Sequence, residues 1–392
     1  MGILRNLFGK KQWVAPQKRD LVVADGHVEK RVMDRLVSML RDPISPCRNA
    51  AMEALGAMGD ERAVQPLISA LRAEDQDIGG NFSKGFHALA AIDTPDSINY
   101  LESFSRDEGV STLNRREASE VLKERQRPRQ ETPVTDGELM ADLKKSAAKE
   151  FAAKDLPALL AILQDKSMDE RLRVLSPYEI ITRGDTATEA VLPLLNHDDD
   201  YVREEAAWIV GELRATSAVD PLIAVLRNDS DLKVVATAAY ALGEIGDARA
   251  VDPLIQGLGA DDADTRLSCA KGLALLGEIA VEPLLGALLS DDWKTKLGAI
   301  YSFRGWGSQP PPPLRDPRAT DELIRIVGDS REHQYVVANA CQALGTIGDR
   351  RVIGALAGRL RDNDAKIREY AARALAEYFN LYKQATSKPE VR

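Results

Sequence analysis

Residues 241–255 read ALGEIGDARAVDPLI, and a near copy, ALGAMGDERAVQPLI, stands at residues 54–68. A looser version, ALGTIGDRRVIGALA, follows at residues 343–357. Pro221, Pro253 and Pro283 hold the same place in AVDPLIAVL, AVDPLIQGL and AVEPLLGAL, 32 and 30 residues apart, and Gly211 and Gly243 are 32 apart. Self-similarity at this period restricts the chain to folds in which one small supersecondary unit is stacked many times, each copy burying its apolar face against the next.

Residues 218–247 show what one unit is. Pro221 lies in the opening turn of a helix, where its missing N–H costs little. Leu222, Ile223, Val225 and Leu226 then form an apolar stripe, and RNDSD ends the helix with turn and cap residues. In LKVVATAAYA, helical spacing puts Val234, Ala238, Ala241 and Leu242 on one face, and Gly243 with Gly246 is expected to end this second helix. Paired alanines, Ala206–Ala207, Ala238–Ala239 and Ala371–Ala372, suit close helix packing.

The template predicts ten helical hairpins, at about 30–60, 63–93, 96–125, 155–185, 187–214, 218–247, 250–278, 280–308, 319–349 and 352–380. The fourth is the least regular, with Pro177 inside its second helix. The expected fold is all-α, a right-handed α-α superhelix of the HEAT/armadillo-like solenoid type. Aromatic residues at 5% within 44% hydrophobic content fit tightly packed helices better than β-sandwiches. The predicted organisation is a basic N-terminal segment at 1–29, repeats at 30–125, a linker with an extra helix at 126–154, repeats at 155–380 and a tail at 381–392. QRPRQETPVTDG (126–137) is polar and proline-bearing, which marks a hinge or subdomain boundary.

DYVREEAAWIVGEL (200–213), KIREYAARALAEY (366–378) and ALGEIGDARAVDPLI resemble the HEAT-like repeat of the phycobilisome lyase type. The pattern is a polar turn, V/I-R, two alanines, A-L-G and a short link into a Pro-Leu helix. The resemblance covers roughly residues 30–380. It implies the solenoid fold, and members with this repeat include chromophore lyase subunits, phycobilisome-degradation factors and adaptors. The primary reading is a non-catalytic protein–protein scaffold using the concave face. An accessory subunit of a bilin lyase or another chromophore-handling factor is the alternative, and a nucleic-acid binder a lesser one.

Counting back three residues from each closing glycine gives the outward position of the second helix: Glu53, Trp208, Tyr240, Ala274, Ser302 and Gln342. Trp208 and Tyr240 thus become neighbours on adjacent units. Tyr201, Tyr301 and Trp306 lie in the same central stretch, with Glu204, Glu205 and the acidic run 198–200 beside them. Aromatics beside charges suit a protein contact surface, and equally suit packing between helices. RGWGSQPPPPLRDPR (304–318) breaks the rhythm, and its prolines Pro310, Pro311, Pro312 and Pro313 favour an exposed polyproline II segment or a simple bridge between units.

Catalytic, cofactor and metal residues are not expected. Cys47 occupies the slot of Val202 and Val234, and Cys341 that of Ala207 and Ala239, so these two read as core residues, whereas Cys269 is not assigned to such a slot. The histidines His27, His87, His197 and His333 are scattered over separate units. HEAT-like deoxyhypusine hydroxylase holds two irons with repeated His-Glu pairs, and this chain has no His-Glu dipeptide. The basic cluster Arg115, Arg116, Lys123, Arg125, Arg127 and Arg129 is interrupted by Glu117, Glu120, Glu124 and Glu131, and the net charge of -9 opposes a phosphate-binding role. Residues 1–13 (MGILRNLFGKKQW) combine apolar and basic side chains, which allows membrane-surface or groove contact as well as capping or mobility. No run approaches the 18–20 apolar residues of a membrane span, and the odd cysteine count fits a cytoplasmic protein.

Overall fold

The computed structural model describes residues 26–74, 82–126, 145, 147–151, 153–305 and 313–387. These are helical throughout, without a strand, and fall into ten hairpins. Three lie before the predicted linker: α1 (Gly26–Met39) with α2 (Ser45–Met58), α3 (Val64–Glu74) with α4 (Phe82–Ile92), and α5 (Pro95–Arg106) with α6 (Thr112–Gln126). Seven follow it: α7 (Leu156–Gln164) with α8 (Glu170–Ile181), α9 (Asp185–Val191) with α10 (Asp200–Glu212), α11 (Val219–Asn228) with α12 (Leu232–Ile245), α13 (Val251–Gly257) with α14 (Ala263–Leu276), α15 (Glu278–Leu288) with α16 (Trp293–Arg304), α17 (Ala319–Gly328) with α18 (Gln334–Ile347), and α19 (Val352–Arg359) with α20 (Ala365–Ser387). No helix among the described residues is long and apolar enough to cross a membrane.

Four successive second helices in the second unit start from one device. Asp199, Asp231, Asp262 and Asp292 each accept a hydrogen bond from an N–H in the first turn of the helix that follows, satisfying a donor that has no partner within the helix. Counted from this cap, the alanines eight residues on (Ala207, Ala239, Ala270) are fully buried, as are Cys47 and Cys341. Cys269 is buried too, and burial lifts its thiol to about 12 and that of Cys47 to about 11.

The end of α12 differs from the sequence expectation. Gly243 lies within the helix, where a side chain would meet the Gly272 backbone at 2.7 Å, and Gly246 (φ +79°) makes the left-handed cap. The glycine of ALG is therefore a close-approach residue between helices, two or three positions before the true stop.

Contacts divide the chain into two compact units. One comprises Met1–Gln126, Val327–Ser330 and Leu344–Arg392; the other comprises Arg127–Ile326 and Arg331–Ala343. The last hairpin thus belongs with the first three. Within this unit α2 and α20 form the most extensive helix pair among the described residues, and α1 packs on α19. The Cys47 thiol donates to Ala365 O at 3.2 Å, Lys383 Nζ donates to Gly56 O at 3.1 Å, and Arg35 donates to Ala357 O.

In several hairpins a basic residue four positions after the cap ties one hairpin to the next. In the second unit Arg203 grips Asp229 through two hydrogen bonds of 2.7 and 2.9 Å, and its third nitrogen reaches His197 O and Asp198 O. Arg173 donates to Asp199 at 3.0 Å through one nitrogen and to Leu163 O at 3.2 Å through another, and Lys296 pairs with Glu332. In the first unit Arg368 grips Asp42 at 2.7 and 3.0 Å while reaching Asp362 O and Asn363 O. Chemically, the opening hairpin is the next repeat after the closing one.

Candidate interaction surface

The surface is built by one register position of the second helices in the second unit. Nine residues after the cap stand Tyr178 on α8, Trp208 on α10, Tyr240 on α12, Lys271 on α14 and Tyr301 on α16, all half-buried. Residues eight after the cap point into the stack, so the ninth faces its rim. Successive hairpins therefore align four rings and a lysine in one row.

Trp208 is the centre. Its indole meets Tyr178 edge-on, with centroids 5.0 Å apart and planes at 66°. Trp208 and Tyr240 also line one small cleft, together with Gly211, Glu212, Thr237, Ala241 and Glu244. Burial, then Glu244 and Glu212, pushes the Tyr240 hydroxyl up to about 12. Burial, then Glu205 and Glu212, also raises Tyr178. Arg214 reaches Glu244 at 3.6 Å from an exposed position.

One turn earlier on α10 lies an acidic cluster. Glu205 is raised to about 7, first by burial and then by Glu204, against the pull of Tyr201 and Arg173. Glu204 is raised by burial, and Lys233 partly offsets this. The Tyr201 hydroxyl is buried beside Glu205 without a well-aligned hydrogen bond, and its ring carries the Arg173 guanidinium 4.6 Å from the centroid.

The structure therefore brings Tyr201, Glu204, Glu205, Trp208 and Tyr240 together on α10 and α12. Tyr301 lies further along the row, with Arg304 5.2 Å from its ring centroid. Trp306 lies outside the described residues, as do Pro310 to Pro312, residues 1–25 and most of the predicted linker. The outward positions Ala274 and Ser302 are corrected: both are buried. Gly277 and Gly305 cap their helices, whereas Gly211 and Gly243 lie within theirs, so counting from them shifts the register. The proper equivalents are Lys271 and Tyr301. Tyr178 was missed because no closing glycine follows it at the expected spacing; its distance from the Asp169 cap would have found it.

Elsewhere, His87 lies 3.4 Å from Glu124, His197 Nδ1 accepts from Asp199 N, and His333 stacks between Trp293 and Tyr335 at 4.4 and 5.4 Å. Each of these three histidines has a local structural partner.

HEAT repeats are recognised over residues 23–79, 156–242, 188–274 and 281–376. Deoxyhypusine hydroxylase of Schizosaccharomyces pombe is 24% identical over 217 residues, which cover 53% of this chain and 67% of that protein. Phycocyanobilin lyase subunit alpha of a Picosynechococcus species is 31% identical over 195 residues, 48% of this chain. The chain spans 63% of that relative's length. Among solved structures, the complex of CpcE and CpcF of phycocyanin lyase from Nostoc sp. PCC7120 is similar at 18% identity and a TM-score of 0.32, over 63% of this chain and 97% of that one.

Proposed function

Because the chain belongs to the HEAT-repeat family, we propose that it is a non-catalytic scaffold that holds another protein on the row of second helices in its second unit. One observation carries this reading: five successive hairpins present Tyr178, Trp208, Tyr240, Lys271 and Tyr301 half-exposed at one register position. Rigid rings at partly desolvated positions are the residue types that dominate protein interfaces. Recovery of partners from native lysate by the wild-type chain and by a Trp208→Ala/Tyr240→Ala variant of equal thermal stability tests it. The variant is expected to lose most of its partner; equal recovery removes the surface.

A second reading follows from the 31% identity to a phycocyanobilin lyase subunit. In it, the chain assists bilin attachment. Incubation with phycocyanobilin and apo-phycocyanin, followed by absorbance, tests this reading, and the absence of a chain-dependent visible band rejects it.

A further inference from the structure

Resting on the interaction-surface reading, we propose that the segment this row receives is an extended, lysine- or arginine-bearing stretch of the partner, with a cationic head group seated in the cleft between Trp208 and Tyr240. Trp208 and Tyr240 line the cleft together with Glu212 and Glu244, so two aromatic and two acidic residues meet at one place. A partly desolvated cation against an aromatic face is held more firmly than one in water. The adjoining turn carries Glu204 and Glu205, and Glu205 is raised to about 7 first by burial and then by repulsion from Glu204. An incoming positive charge relieves that repulsion, whereas an acidic or purely apolar segment leaves it in place. Arg173 relieves it only in part, being hydrogen-bonded to Asp199 at 3.0 Å.

Spacing selects the conformation of the guest. Packed helices lie roughly 8–10 Å apart, so the Tyr178–Trp208 contact and the Trp208–Tyr240 cleft recur about once per hairpin. Three residues of extended chain span about 10 Å. An extended segment in the polyproline II conformation, with three residues per turn and about 3.1 Å per residue, therefore offers every third side chain from one side to successive ring pairs.

The test uses fluorescence anisotropy with a fluorescein-labelled (Gly-Ser-Lys)4 peptide, its fully lysine-acetylated form, and the full chain. The lysine peptide is expected to bind with an affinity that falls with salt, and the acetylated form to bind at least about tenfold more weakly. Trp208→Ala/Tyr240→Ala is expected to weaken binding about tenfold and Glu212→Gln/Glu244→Gln about threefold, with Asp252→Asn, on the first helix of its hairpin, as the unchanged control. Equal binding by the Trp208/Tyr240 variant, equal binding of the acetylated peptide, or no binding of either peptide overturns the proposal. If the lysine peptide fails while the same variant still loses its partner from lysate, the cationic assignment falls and the interaction surface stands. If both fail, the surface falls as well.

Discussion

Arg368 holds Asp42 with the two-pronged geometry by which Arg203 holds Asp229, although 326 residues separate the first pair and 26 the second. Both pairs are nearly closed to water, with side-chain exposures of 14% and 8% for the first and 15% and 7% for the second. Each arginine also satisfies two turn carbonyls of its own hairpin, so the contact sets the stacking distance as well as neutralising charge.

Removing one member strands the other in a largely dry site. Arg368→Ala is expected to destabilise the first unit by about 3 kcal/mol, and Arg203→Ala to do the same in the second. Urea unfolding with a probe in each unit checks both. A loss under about 0.5 kcal/mol for either variant contradicts the clamp.

Ionisation gives two opposite slopes. Burial tends to raise Asp42 and Asp229, but hydrogen bonds from their arginines and from backbone N–H groups bring both below the usual value of 3.8. Their contribution is complete above pH 4 and is lost as pH falls through the lowered values. Glu205 behaves oppositely. Raised from 4.5 to about 7, it contributes most below pH 4.5, and stability declines as pH climbs toward 7 by on the order of 2 kcal/mol. Glu205→Gln is expected to flatten the stability profile between pH 5 and 7. A slope unchanged in that variant assigns the effect elsewhere.

One rung of the arginine series is incomplete. Arg266 donates to Ala260 O and Asp261 O at 2.7 and 2.9 Å, but its Nε is buried without a partner. The next hairpin has Ser290 where Asp229 and Asp42 stand relative to their caps, and Ser290 Oγ accepts from Asp292 N at 3.1 Å. An aspartate accepts that bond equally well and adds a carboxylate for Arg266. Ser290→Asp is expected to stabilise the second unit by about 1–2 kcal/mol, measurable as a raised Tm.

Two glycine substitutions of the same kind are expected to diverge. A methyl at Gly211 meets Ala241 Cβ at 2.7 Å and Cα at 2.9 Å, while Gly286, within α15, has nothing within 4 Å. Gly211→Ala is expected to cost about 2 kcal/mol by forcing α10 from α12. Gly286→Ala is expected to gain about 0.5–1 kcal/mol from helix propensity. Similar effects in chemical denaturation refute the close-packing argument.

Hairpin boundaries were legible because a 32-residue period and buried alanine pairs are local patterns that stacking preserves. Trp208 and Tyr240 were placed correctly as neighbours for the same reason. Register failed at Ala274 and Ser302, since a glycine spaces helices in one repeat and caps a helix in another, and the letter is the same. Tyr178 escaped through its irregular, proline-bearing helix. The Arg368–Asp42 contact was invisible for a different reason: period reveals which repeats are alike, whereas adjacency of the first and last depends on how turns accumulate along the stack.

The pairing of α2 with α20 also sets an order of events during synthesis. Residues 45–58 leave the ribosome some 300 residues before residues 365–387, a delay of roughly 15–60 s at ordinary elongation rates. Through that interval the opening hairpin has emerged without the helix that covers it. Chaperone occupancy of nascent chains is accordingly expected to begin at the first hairpin and to end only when the final helix docks.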